Sequence, residues 1–373
     1  MSNKALARRA DAEVYFGGVD ISTSVRNHLI SLSYTDNEED EADDLQIKLQ
    51  DRDGIWLTQW LDAAVQAAAS YNPWLGKDEG AKPEAESDTK GLSVQAIIVR
   101  KNWGNDGNDD TLDCGEFELD SLDASGPPAE VNIKCTSLPY SAPIRQTKKS
   151  RAWEGYTLSG IAREMAVANK MSCLFESATD PRYERLEQID ESDISFLSTL
   201  CHNEGISLKA TNRIIVLFDQ AEYEAKDVVK IITRGDGSYL KYKLSTGAAD
   251  TMYACCRVSY TNPNTGAVIS ATAYVEDYSA GKKENQTLEI TAKVNSVGEA
   301  QHLAEKMLRM KNKYEYGASF TFPGDTGLVA GVTVSLCQWG AWDGKYIVKQ
   351  AKHSLGGSGY TTQLSLRRVL EDN

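Results

Sequence analysis

Residues Gly317 to Leu370 carry the pattern that most restricts what this chain can become. Gly317-Ala-Ser-Phe-Thr-Phe-Pro-Gly-Asp325 is followed by Leu328-Val-Ala-Gly-Val-Thr-Val-Ser-Leu336 and Trp339-Gly-Ala-Trp-Asp-Gly-Lys-Tyr-Ile-Val348. His353-Ser-Leu-Gly-Gly-Ser-Gly-Tyr-Thr-Thr-Gln-Leu-Ser-Leu-Arg367 closes the stretch. Val332, Val334 and Leu336 alternate with small or polar residues, as a strand with one buried face requires. Tyr360, Thr362, Leu364 and Leu366 repeat that period of two. Asp343-Gly344 is a hairpin signal between two apolar runs. Gly356-Gly-Ser-Gly359 sits between strands and reads as a turn, not as a phosphate-cradling loop before a helix. The segment is a β-meander.

A chain of 373 residues exceeds one ordinary core, so two or three domains are expected. The net charge of −14 argues against a free nucleic-acid binder, because phosphate neutralisation needs clustered Lys and Arg. An acidic wall suits a channel that passes DNA without holding it; ordinary solubility from surplus acids is the plainer reading. No run reaches the roughly 18 apolar residues of a bilayer span, and Met1 to Asp11 lacks the apolar centre of a signal peptide. The seven cysteines show no CxxC, which fits buried free thiols in a reducing compartment. The chain is expected to be made and kept in the cytosol, or exported by another route.

Along the chain, Val14 to Asp20 and His28 to Tyr34 read as strands, and Leu45, Ile47 and Leu49 resume the period of two. Between them, Asp36, Glu38, Glu39, Asp40, Glu41, Asp43 and Asp44 form an acid run without EF-hand spacing, read as a solvated loop. Trp56, Trp60, Ala63, Ala64 and Ala67 share a helical stripe within Ile55 to Ser70, suited to core packing or to partner docking. A linker-like stretch follows, Tyr71 to Lys90. Strands return at Leu92 to Trp103, Thr111 to Leu122 and Val131 to Cys135. From about 150 to 220 the texture is α+β. Thr157 and Ser192 cap helices, Gly205 stops the second one, and Ile206 to Leu208 pairs with Ile214 to Phe218. Thr251 to Tyr260 and Val268 to Tyr274 form a hairpin. Ser296-Val-Gly-Glu299 is a capping box that opens a helix with Leu303, Ala304, Met307 and Leu308 on one face.

Sites of chemistry are not signalled. There is no Gly-x-Ser-x-Gly elbow. Cys201 and His202 are helix neighbours that project about 100° apart. His28, His202, His302 and His353 are scattered. Asp106 to Asp113 has Thr111 where an EF loop needs Gly, so it reads as a hairpin loop. No catalytic, cofactor-binding or metal residue is assigned, and no enzyme activity or cofactor is expected.

The order of the C-terminal pieces resembles the terminal barrel of contractile-tail baseplate hub proteins, the phage late-control D family, also found in defective prophages and phage-tail-like bacteriocins. Three further places are similar to that family: Ala42-Asp-Asp-Leu-Gln-Ile-Lys-Leu-Gln-Asp-Arg-Asp-Gly-Ile-Trp56, Trp153-Glu-Gly-Tyr-Thr-Leu-Ser-Gly-Ile-Ala162, and Arg185-Leu-Glu-Gln-Ile-Asp-Glu-Ser-Asp-Ile-Ser-Phe-Leu-Ser-Thr-Leu200. The resemblance implies an α+β, mainly β fold with two tail-tube-like β-barrel domains. These are placed at 1–148, with a helical insertion near 55–90, and at 223–373, with a helix near 297–311. A small central α+β, LysM-like domain is placed at 149–222.

It further implies a homotrimer that forms a pseudo-sixfold ring between a hexameric tail tube and a trimeric spike. Its partners would be the spike, the tube or a tube-initiator protein, other baseplate proteins and the tape measure protein. DNA would be passing cargo only, and stable membrane binding is not expected. No spike-type domain follows the last strand, so the spike is expected to be a separate polypeptide. The location would be the tail baseplate of a particle assembled in the bacterial host cytoplasm. The alternative from the residues is a peptidoglycan- or carbohydrate-binding module, suggested by the stretch 153–170. No internal sequence repeat is visible.

Overall fold

The alternation seen in the sequence becomes a mainly β architecture in the computed structural model, which describes residues 7–39, 41–58, 92–104, 107–138, 142–211, 213–246, 253–261, 266–275 and 286–369. The N-terminal half contains β1 (Arg9–Phe16), β2 (Val19–Asp20), β3 (Leu29–Asn37), β4 (Asp44–Gln50), β5 (Ser93–Lys101), β6 (Asp109–Ser125) and β7 (Glu130–Thr136). They run in the order β3-β4-β7-β6-β5-β1, all antiparallel, with β2 as a short hairpin partner of β1. Every second residue of β4 (Leu45, Ile47, Leu49) is fully buried beside Ile133, Val94 and Ile98. Of the stripe read at 55–70, the helix Ile55–Thr58 is described, with Trp56 buried beside Phe16. Trp60, Ala63, Ala64, Ala67 and the stretch 71–90 lie outside the described residues.

The central part has β8 (Lys148–Glu154), β9 (Ser172–Glu176), β10 (Arg185–Ser192), β11 (Ser207–Thr211) and β12 (Ile214–Phe218). Its two helices, Leu158–Ala168 and Asp193–Glu204, start at the capping hydroxyls of Thr157 and Ser192. The second ends at Gly205, whose φ of 66° favours glycine. The helices pack Leu158, Ile161, Met165, Leu197 and Leu200 against Trp153, Ile215 and Leu217.

The C-terminal half contains β13 (Val228–Thr233), β14 (Lys241–Thr246), β15 (Tyr253–Thr261), β16 (Val268–Tyr274), β17 (Gln286–Thr291), β18 (Tyr316–Pro323), β19 (Thr333–Cys337), β20 (Gly344–Gly356) and β21 (Gly359–Arg368). Strands β15 to β17 form a separate small sheet, covered by the helix Val297–Asn312 through Ala300, Ala304, Met307 and Leu308. Ser296 caps that helix, and Glu299 reaches back to the Asn295 N–H, one residue beyond the expected box. The remaining strands run β14-β18-β21-β20-β19-β13. Between β19 and β20, Asp343-Gly344 is not a two-residue turn. A short 3-10 turn, Gly340–Trp342, is interposed, and the Trp339 indole N–H donates to the Ile232 carbonyl within the core.

Both halves are therefore built alike. Numbering the six main strands of each half in chain order, both sheets read 2-3-6-5-4-1. The pairs match in direction throughout 2-3-6-5-4; only the last differs, with β1 antiparallel to β5 and β13 parallel to β19. The halves also form one continuous sheet. Strand β20 pairs with β19 and β21, and its far end, Gln350–Gly356, pairs antiparallel with β3. At this seam His353 lies opposite Tyr34, with the rings stacked at 5.9 Å.

The Phe-Pro-Gly turn has a packing reason for its glycine. A Cβ on Gly324 would lie 1.9 Å from the ring of Tyr360, and the Gly324 N–H donates to the Tyr360 carbonyl at 2.8 Å. Tyr360 cannot swing away freely, because its hydroxyl donates to buried His353 Nδ1 at 2.8 Å. Gly324→Ala is expected to cost about 1–3 kcal/mol through overpacking, read as a lower urea midpoint at unchanged slope.

Candidate functional site

The acid run does not form a solvated loop. Asp36, Glu38, Glu39 and Asp43 are buried, while Glu41 and Asp44 remain exposed. A carboxylate taken out of water needs charge and hydrogen-bond partners, and the cations that pair with these lie outside the first half. They arrive from three other parts of the chain.

Strand β11 supplies the first set. Its period of two sends Leu208 and Ala210 into the central core and turns Ser207, Lys209 and Thr211 towards the acid turn. Ser207 Oγ donates to Glu39 at 2.6 Å, and Thr211 Oγ1 donates to Asp43 at 2.6 Å. Lys209 Nζ bridges Asp36 at 2.7 Å and Asp43 at 3.5 Å. The second set surrounds Glu39. Lys313 Nζ lies at 2.5 Å, Gln220 Nε2 at 2.5 Å and the Tyr314 hydroxyl at 3.0 Å. Lys313 stands at the C-terminal end of the helix Val297–Asn312, where the helix dipole favours a cation. The third set comes from β21. Arg367, itself buried, donates to Glu38 through Nε at 3.2 Å and Nη2 at 2.7 Å. Its remaining Nη1 meets Glu224 on the helix Gln220–Ala225, and Glu224 also holds Arg309.

Five carboxylates (Asp36, Glu38, Glu39, Asp43, Glu224) thus face four cations (Lys209, Arg309, Lys313, Arg367). Burial works against the Glu39 carboxylate, but Lys313 and the Ser207 hydroxyl outweigh it and hold its pKa at about 2. Burial also opposes the Arg367 charge, yet Glu38 and Glu224 hold its pKa above the ordinary value. Asp43 takes the surplus: burial pushes its pKa up to about 6, with Lys209 pulling it back and Asp36 adding to the rise.

His353 sits nearby and is neutral. Its Nε2–H donates to the Leu328 carbonyl at 3.1 Å, its Nδ1 accepts from Tyr360, and burial pulls its pKa down to about 4. A second tie crosses the halves at Arg100 of β5, which donates to the Gly324 carbonyl at 2.9 Å and lies 3.9 Å from the Asp325 carboxylate; Asp325 also pairs with Lys230 of its own half at 2.8 Å.

Chemically, this arrangement holds parts together. Its carboxylates are engaged by cations, and among the described residues no group of three His, Cys, Asp or Glu could hold a metal. Cys201 is buried and His202 exposed, on different faces of their helix. The acid run was visible in the sequence, but its role depended on Arg367 and Lys313, which no local pattern links to it.

No protein-family profile matches the chain. It is 24% identical over 238 residues to the probable baseplate hub protein of Escherichia phage P2, a match covering 62% of this chain and 52% of that protein. The chain thus spans about half the length of that relative. It is 22% identical over 396 residues to the probable baseplate hub protein of Escherichia phage 186, covering 95% of this chain and 91% of that one. Its fold is similar to the 43 kDa tail protein of prophage MuSo2 from Shewanella oneidensis, with a TM-score of 0.66, 13% identity, and 96% and 98% of the two chains covered. The resemblance to baseplate hub proteins read from the sequence is borne out by these relatives, and the tail-protein fold by the structure.

Two outcomes follow from the network. Arg367→Met takes the guanidinium from buried Glu38 and leaves Glu224 with Arg309 alone, and is expected to lower stability by about 3–5 kcal/mol in urea unfolding. Asp43 binds a proton in the folded chain between pH 3.8 and about 6 that the unfolded chain has released, so its contribution to stability is lost as pH rises through that window. His353 acts oppositely, because its contribution is lost as pH falls from 6.5 towards about 4. The total pH dependence therefore hides Asp43, and the difference between variants reveals it. Asp43→Asn should gain stability relative to the parent chain between pH 4.5 and pH 7.5, and a constant difference would contradict the assignment.

Proposed function

We propose that this chain is the structural hub of a contractile-tail baseplate, forming a trimeric, pseudo-sixfold ring between a hexameric tail tube and a trimeric spike. The observation that carries this reading is the pair of like-built halves fused into one sheet. Three such chains present six near-equivalent β units to a sixfold tube and keep a threefold repeat for the spike. The curated relatives named as probable baseplate hub proteins support a structural role in the baseplate.

The work of such a hub is geometric, with no reaction step. Its partners in this reading are two further copies, the spike, the tube or its initiator, other baseplate proteins and the tape measure protein. A net charge of −14 suits a wall along which DNA slides as passing cargo. Assembly would take place in the host cytoplasm, with the finished protein in the particle's tail. The division into 1–148, 149–222 and 223–373 is part of the same proposal. A LysM-like ancestry of the central part remains an element of it too.

The test is the solution mass of the purified chain by light scattering, alone and mixed with a trimeric spike protein. A mass near three times 41.0 kDa, or a three-to-three complex with the spike, is expected. A monomer that ignores the spike would remove the ring.

A further inference from the structure

We propose that the chain cross-links itself, with the Lys313 amine displacing ammonia from the Gln220 carboxamide and buried Glu39 carrying the protons. The product is an isopeptide bond between Lys313 Nζ and Gln220 Cδ. It forms once per chain, without turnover, and does not depend on the oligomeric state.

Three side chains from three parts of the fold meet out of water. Glu39 lies just past β3, Gln220 opens the helix Gln220–Ala225, and Lys313 follows the helix Val297–Asn312. They are 6%, 7% and 3% exposed. Lys313 Nζ donates to Glu39 Oε1 at 2.5 Å and to Gln220 Oε1 at 3.1 Å. Gln220 Nε2 donates to Glu39 Oε2 at 2.5 Å. The triangle fixes which way round the carboxamide sits, since its carbonyl must meet the ammonium and its NH2 group must meet the carboxylate. Nucleophile, amide and proton carrier are therefore all within hydrogen-bond reach of one another.

An ammonium is no nucleophile, so Lys313 must first lose a proton. Burial pushes its pKa below the ordinary lysine value, and Glu39 pulls it back, so the resting state is the ion pair. One oxygen of Glu39 faces the amine and the other faces the leaving nitrogen. Glu39 Oε1 accepts a proton from Nζ, the neutral amine attacks Gln220 Cδ, and the Cδ–Nε2 bond breaks as Nε2 gains a proton. Nζ gives up two protons in all. One departs with Nε2 as ammonia, and the other stays on Glu39, whose charge disappears together with that of Lys313. The Ser207 and Tyr314 hydroxyls keep Glu39 hydrogen-bonded throughout. A cleft of about 350 Å³ bordered by Glu39, Thr199, His202 and Met310 gives ammonia an exit.

Other buried lysines lack this arrangement. Lys209 donates to Asp36 and Asp43 and to no carboxamide among the described residues. Lys149 pairs with Asp193 beside Gln188, but its side chain is 38% exposed and the Gln188 carbonyl oxygen accepts no hydrogen bond. The bond joins positions 93 apart and encloses β13 to β17 and the helix Val297–Asn312 in a covalent loop. Closing so long a loop restrains the unfolded chain and holds the helix end at the exit of the central part.

Mass spectrometry of the full chain, stored folded at neutral pH and then denatured, tests it. The intact mass should fall below that of the sequence by one ammonia, about 17 Da. Trypsin should release residues 214–226 joined to residues 312–345. Lys313→Arg and Glu39→Gln, verified as folded by circular dichroism, should each show the full mass of their own sequence and no joined peptide. A parent chain of full sequence mass overturns the proposal without recourse to any variant. A deficit of one ammonia without the joined peptide also overturns it, since that marks a succinimide elsewhere in the chain. A joined peptide that persists undiminished in Glu39→Gln overturns the role given to Glu39.

Discussion

Four carboxylates at the end of β3 and in the turn before β4 are out of water, and the cations that pair with them come from other parts of the chain. That single constraint organises the molecule. It draws β11 of the central part in through Lys209, the end of the helix Val297–Asn312 in through Lys313, and β21 in through Arg367. Apolar contact could hold these parts together in several orientations. A forked Arg367 between Glu38 and Glu224 accepts only one. Buried ion pairs add little net stability when weighed against well-packed apolar residues. Their effect here is to set register and angle.

The position of the turn explains its reach. In the N-terminal half it connects the second and third main strands; in the C-terminal half the same connection carries β15 to β17 and their helix. The two equivalent connections meet each other through Glu39 and Lys313. The halves are thus fixed twice: by the backbone ladder of β20 on β3, and by side chains of their matching connections. A rigid double unit follows, one that offers a partner two similar surfaces at a fixed spacing.

Much of this was legible in the sequence where local chemistry decides. The alternation at Val332 to Leu336, the caps at Thr157, Ser192 and Ser296, and the stop at Gly205 all became the elements they signal. The acid run was misread because charge density is local while partners are not: Glu38 and Arg367 stand 329 positions apart, and Glu39 and Lys313 stand 274 apart. The duplication was hidden for another reason. A β-strand asks only for alternation, which many residues satisfy, so two halves keep one strand order without a sequence repeat. Gly324 lies between these cases, since its motif is visible but the Tyr360 ring that requires it is not.

The central claim is that two like-built halves per chain make six units per ring. Cryo-electron microscopy of the chain assembled with its spike tests this most directly. The account predicts three copies around the axis, each giving its two like-built halves to a ring of six units. A ring of any other number of copies, or a spike bound to a single copy, would contradict it.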